Sequence, residues 1–211
     1  MVSAVPFFLY LSLFPLINKE VLLSLKEYLK AQTKTNEIIV NSTIGSDELS
    51  RLSKSDFRWA DERKKAFRQL PVRIGEVYQF EFGKNFIPEM SYEHRGLVIG
   101  VRQKLLYVLP IFSYDPIKHP DVYHPIDNPY SKSELYMLKT SEFSFITHDS
   151  VLKLNDIRTL STKRILYQHS GRIDPQSETY KQIEKLTIHK CFPAFYHEYE
   201  EALKLLDELQ K

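Results

Sequence analysis

The chain has 211 residues, enough to bury a real core in one compact domain with appendages and too few for two full domains. Hydrophobic residues at 43% and charged residues at 27%, with 13 Tyr and 13 Phe, exclude disorder over the whole length. A formal charge of +2 excludes a strong polyanion binder in bulk, and one cysteine, Cys191, excludes both an internal disulfide and a cysteine-rich zinc site.

The opening run "MVSAVPFFLYLSLFPLI" has no charge before Lys19, yet Pro6 and Pro15 interrupt it. It is shorter than the roughly 20 residues that span a bilayer and lacks the basic start of a signal peptide. The expectation is a segment packed on the protein or a partner, with membrane attachment as the alternative. Asn18 suits a helix cap, and Leu22, Leu25 and Leu29 then share one side of a helix of about four turns. "NSTIGSDELS" predicts a loop and a second helix. "SDFRWADERKKAFRQLP" predicts a third stretch, with Phe57, Ala60 and Phe67 near helical spacing and Pro71 closing it. Between residues 51 and 73 there are eight Lys/Arg against three Asp/Glu, which is either a solvated helix face or a surface for nucleic acid or an acidic partner.

The period then changes. In "GEVYQFEFG" Tyr78, Phe80 and Phe82 share one face of a strand, and Val77, Gln79 and Glu81 the other. "GLVIGV" and "LLYVLPIF", separated by "RQK", predict a hairpin of buried strands. Further short strands are predicted at "ELYMLK", "FSFIT", "SVLKL" and "IRTLS", and five or more such strands imply a small antiparallel barrel. Residues 113–133 hold Asp115, His119, Asp121, His124 and Asp127 among four prolines. These are metal-ligand types without a ligand spacing, so the segment reads as an exposed loop beside a site, in which Lys118 or His119 could touch a phosphate. Asp174 suits a cap with Pro175 at the first helical position, and Tyr180, Ile183 and Leu186 then face one way. Phe195, Tyr199, Leu203 and Leu206 repeat the stripe after Pro193, again facing a core. Cys191 falls in this helical tail between Lys190 and Phe192, which disfavours a catalytic thiol.

No phosphate-binding glycine loop, nucleophile elbow or paired metal motif occurs among so few glycines, so no cofactor and no metal are expected. The remaining candidates are polar residues at the predicted strand ends: Glu89, His94 and Arg95, then Ser113, then Lys153, Asn155, Arg158 and Thr159. A site that holds a phosphate and moves a proton beside it needs cations, an acid or base, and an orienting donor. Arg95 suits charge stabilisation, His94 proton transfer, and Ser113 orientation of the phosphate. Alternation puts Arg158 and Thr159 on opposite faces, so one of them is structural; Arg158 is favoured for the groove or a dimer contact, with a plain ion pair as the other reading.

"IGEVYQFEFGKNFIPE", "HRGLVIGV", "YVLPIFS" and "SVLKLNDIRTLSTKRI" occur in that order over 73–167, and the series resembles the PemK/MazF/Kid toxins of bacterial toxin–antitoxin modules. The resemblance implies an SH3-like barrel that dimerises, acts in the cytoplasm as a metal-independent endoribonuclease on single-stranded RNA, and is silenced by an antitoxin in the RNA groove. It puts the catalytic arginine on Arg95, or on His94 if the register slips by one, and the turn hydroxyl on Ser113. An acidic position falls on Asn155 and a basic one on Lys153. Ile87, Pro88 and Gly96 depart from the pattern, implying a changed loop path and altered sequence preference. "PIFSYDPIKH" also resembles the ToxN/AbiQ ribonucleases, whose antitoxin is RNA, so the inhibitor is a protein or an RNA. The expected layout is a helical extension over 1–72, the barrel over 73–170 and helices packed on it over 171–211. A barrel that binds nucleic acid or a protein without cutting, as in a phage-defence assembly, is the alternative.

Overall fold

The computed structural model describes residues 19–42, 45–67 and 70–209, and the chain divides into two compact units, 1–49 and 50–211. The apolar run 1–17 and the cap Asn18 lie outside the described residues. In the first unit α1 (Lys19–Asn41) is 23 residues long, longer than the four turns expected, because no glycine or proline interrupts it and Leu, Lys and Glu dominate its first half. Where two further helical stretches were expected there is one, α2 (Ser46–Glu62). Phe67 therefore falls outside any helix, and Phe57 is 72% exposed. No helix among the described residues is long and apolar enough to cross a membrane.

The second unit is α+β, built on one antiparallel sheet. Its strands are β1 (Glu76–Glu81), β2 (Glu93–Arg102), β3 (Leu105–Ser113), β4 (Leu135–Leu138), β5 (Ser150–Lys153), β6 (Arg158–Ser161) and β7 (Ile165–Arg172). The order is β4-β5-β3-β2-β1-β7, and β6 also pairs with β3. β2 and β3 form the expected hairpin, with Arg102 opposite Leu105 and Gln103 at φ 55° in the turn. β1 begins after Gly75, whose φ of 87° and 2.1 Å approach of the Ile173 carbonyl to a built Cβ leave no room for a side chain.

The sheet does not close into a barrel. β5 and β6 divide one edge of β3 between them, β5 against residues 111–113 and β6 against residues 105–108. The chain then crosses a 3-10 turn, Thr162–Arg164, to lay β7 on the far edge, against β1. Side chains rather than a hydrogen-bond ladder fill the inside of this curl. Tyr78, Phe80 and Phe82 of the β1 segment, on one face as expected, pack with Val98, Leu106, Val108, Leu160 and Ile165.

The opposite face is buried too. Val77, Leu97, Leu109, Ile111 and Leu152 pack there with Tyr180 and Ile183 of α3 (Glu178–Cys191). The cap of α3 is Ser177, whose Oγ accepts the Tyr180 N–H at 3.2 Å, rather than Asp174. Asp174 closes the preceding turn instead, its Oδ1 accepting the Gln176 N–H and its backbone carbonyl accepting from the Ser177 hydroxyl. In α4 (Pro193–Leu209) the expected inward stripe is not buried: Phe195 and Tyr199 are both more than half exposed, while the side chains of Leu203 and Leu206 lie outside the described ones.

One expected strand does not form, and one strand forms that was not expected. "FSFIT" forms turns, because Phe143, Phe145 and Ile146 press individually on the sheet face and need no ladder. "ILYQHSGR" is β7 although polar residues dominate it, because it is an edge strand with an exposed side. Gly171 of β7 is where Phe145 approaches, and a built Cβ would lie 2.0 Å from that ring. Gly171→Ala is therefore expected to overpack the contact and cost about 1–3 kcal/mol. A thermal midpoint equal to the parent's would show that the 139–149 loop is not held there.

Candidate active site

Arg95 projects from β2 on the face it shares with its register partners Gln79 of β1 and Ile111 of β3. Ser113 ends β3 two residues beyond Ile111, on the same face, opposite Ser150 of β5. Into this corner the 139–149 loop delivers His148. The loop is anchored by buried Ile146 and by Asp149, whose Oδ1 accepts both the N–H and the Oγ1–H of Thr140, at 2.9 and 3.0 Å.

The contacts are close. Arg95 Nη2 donates to Ser150 Oγ at 3.0 Å and lies 3.4 Å from His148 Nε2. His148 Nε2 is 2.7 Å from Ser113 Oγ, and its Nδ1 is 3.1 Å from Thr147 Oγ1. Fully buried Ser150 donates in turn to the His148 carbonyl at 3.0 Å, which fixes both the loop and the guanidinium. Since Arg95 can only donate, the consistent tautomer has Nε2 accepting from Ser113 and Nδ1–H donating to Thr147. Burial lowers the Arg95 pKa, but a guanidinium stays charged at any physiological pH. A cation, an imidazole with an available lone pair and two hydroxyls thus meet on an open surface, a set able to hold a phosphodiester and move a proton beside it.

His94 is not part of this set. Its partner across β1 is Phe80, while Arg95 pairs with Gln79, so alternation separates the two side chains. His94 instead borders an adjoining cleft of about 340 Å³ together with Gln79 and the α2 residues Arg51, Lys54 and Arg58. Burial first, then the Arg51 charge, holds its imidazole below the ordinary histidine value, and Glu93 and Glu81 oppose this only in part. A depressed folded-state pKa means that the unfolded chain takes up the proton first. This stabilising contribution is complete above about pH 6.5 and is lost as pH falls through the lowered value. The urea midpoint should therefore drop between pH 7 and pH 5, and His94→Gln should flatten that dependence; an unchanged slope would mean that the ring is not held neutral.

The expected RNA-contacting residues divide between places. Lys118, Lys153 and Asn155 line one cleft of about 460 Å³ with Pro88, His119 and Ser133. Alternation along β5 turns Lys153 to the face opposite Ser150. Lys153 also bonds the Pro88 carbonyl and pairs with Asp156 at 3.4 Å. Arg158 takes the ion-pair role, its Nε 2.6 Å from Asp156 and its Nη2 3.5 Å from Glu89. Thr159 is exposed opposite Tyr107, six residues and about 20 Å along β3 from Ser113. In the basic stretch between residues 51 and 73, Arg63 lies over the Trp59 ring and Lys65 pairs with Asp61 and Glu62, while Arg68 lies outside the described residues. Arg58 is neutralised by Glu81 at 3.0 Å and Glu93 at 2.7 Å.

His124, one of the metal-ligand types in the long loop, is buried and accepts the Asp127 N–H at Nδ1 while Nε2 meets Glu142 at 3.0 Å. Among the described residues no group of three His, Cys, Asp or Glu could hold a metal ion. Sequence reasoning missed His148 and Ser150. The signal was "THDS" directly before a predicted strand, a hydroxyl-flanked histidine at a strand entry. No family model matches the chain, and no curated protein matches it.

Proposed function

We propose that this protein is an endoribonuclease that cleaves single-stranded RNA by attack of the 2′-hydroxyl on the adjacent phosphate, using its own side chains and no metal. The observation that carries this reading is the meeting of Arg95, Ser113, His148 and Ser150 within hydrogen-bond reach of one another. Arg95 neutralises the phosphorane through its fork, the serine hydroxyls orient the non-bridging oxygens, and His148 exchanges a proton with one reacting oxygen. Arg51 and Lys54, beside Gln79 in the adjoining cleft, offer phosphate contacts for the strand on its way to the site.

The resemblance to the PemK/MazF/Kid toxins supports the same chemistry on an SH3-like arrangement of strands, in a cytoplasmic homodimer restrained by a protein or RNA antitoxin. His148 takes the imidazole role that the sequence suggested for His94. A binder that does not cut is the second reading, favoured by Arg158 being already neutralised by Asp156 and Glu89. The purified protein, incubated with pooled single-stranded RNA in EDTA, should leave 2′,3′-cyclic or 3′-phosphate ends. RNA that is bound but remains intact would replace the nuclease with the binder.

A further inference from the structure

Transesterification of RNA needs proton transfer on both sides of phosphorus, since the entering 2′-oxygen and the leaving 5′-oxygen are in line, and His148 occupies only one side of Arg95. Across the sheet the order of strands is β3, β2, β1, β7, so the other side of Arg95 belongs to Gln79 and then to β7. Gln79 is in register with Arg95 on β2 and with Tyr167 on β7. Its Oε1 is 3.1 Å from His169 Nε2. His169 is two residues beyond Tyr167 on the same face, their rings 5.2 Å apart, and it is half-buried.

The geometry points to His169 as the general base of the proposed cleavage, with Gln79 as its positioning residue. This rests on the nuclease reading and assigns the second half of its chemistry. The Gln79 carbonyl can only accept, so His169 donates from Nε2 and keeps its lone pair on Nδ1. The groups facing the ring are Arg95 on β2, uncharged Gln79 on β1 and the Tyr167 ring on its own strand. Burial first, and then the Arg95 charge, keeps this imidazole below its ordinary pKa, so it is unprotonated and ready to accept at neutral pH. The step balances: the 2′-hydroxyl proton passes to His169 Nδ1 as the O2′–P bond forms. The P–O5′ bond then breaks, and O5′ takes a proton from the imidazolium form of His148. Water resets both rings.

The test compares the parent with His169→Ala and with His169→Gln, the latter retaining an N–H for Gln79 without a base. On an RNA that the parent cleaves, both variants should lose about 10²–10⁴-fold in kcat. Both should bind an uncleavable oligonucleotide, 2′-deoxy at the scissile position, as tightly as the parent. The acidic limb of the kcat/KM profile should disappear, and added imidazole should restore part of the rate to His169→Ala. Gln79→Ala should lower kcat with the acidic limb retained. A folded His169→Gln with parental kcat and an unchanged acidic limb overturns the assignment while leaving the nuclease standing. Absence of cleavage by the parent removes both.

Discussion

Arg95→Ala is expected to reduce RNA cleavage by at least about 10²–10³-fold, the usual consequence of deleting one preorganised donor from a developing oxyanion. The phosphorane gathers negative charge, and Arg95 is the one permanent cation of the corner: Ser113 and Ser150 are uncharged, and His148 gives its proton up to the leaving oxygen. Arg95→Lys keeps the charge but loses the fork, and should recover a small part of the rate. The fold should survive, since Ser150 retains its bond to the His148 carbonyl and the Arg95 side chain is outside the apolar clusters. The measurement is single-turnover cleavage, with circular dichroism as the control for folding. Parental cleavage by a folded Arg95→Ala would remove the corner from the chemistry altogether.

Phe80→Ala should have the largest effect on stability, about 3–5 kcal/mol. Phe80 is fully buried at the centre of the inner cluster, its ring 6.0 Å from that of Tyr78 and 6.1 Å from that of Phe82. Because the sheet curls without a closing ladder, these rings carry the burden that backbone pairing carries in a closed barrel. Against the roughly 5–15 kcal/mol available to a whole domain, the variant would be marginal or unfolded. Phe57→Ala, on an exposed face of α2, should change stability by no more than about 0.5 kcal/mol. Urea titration of both distinguishes the cases, and equal midpoints would show that the inner cluster is not what holds the curl.

Much of the local structure was legible because its cause is local. The alternation of Tyr78, Phe80 and Phe82, the β2–β3 hairpin around a short polar turn, and the stripe of Tyr180 and Ile183 each follow from a period of two or of about 3.6 along a few residues. The same reasoning put Arg95 and Ser113 at strand ends, and alternation plus pairing then set them on one face. β7 escaped notice since its pairing with β1 shifts register twice, which breaks the alternation along a largely polar edge strand, and "FSFIT" misled since its phenylalanines are spaced as in a strand yet are spent on packing.

What the sequence by itself determined, then, was the elements whose pattern is local, β1 to β6 and the core stripe of α3, and that Arg95 and Ser113 stand at strand ends. Only the tertiary structure decided which of those residues meet. His148 reaches Ser113 across 35 positions and Arg95 across 53, and His169 reaches Gln79 across 90. It also decided which cations are already neutralised, Arg58 by Glu81 and Glu93, and Arg158 by Asp156 and Glu89. The physical reason is that periodicity acts through neighbouring residues, whereas a site and its field depend on distances between strands that are remote along the chain, and these are set by how the sheet pairs and curls.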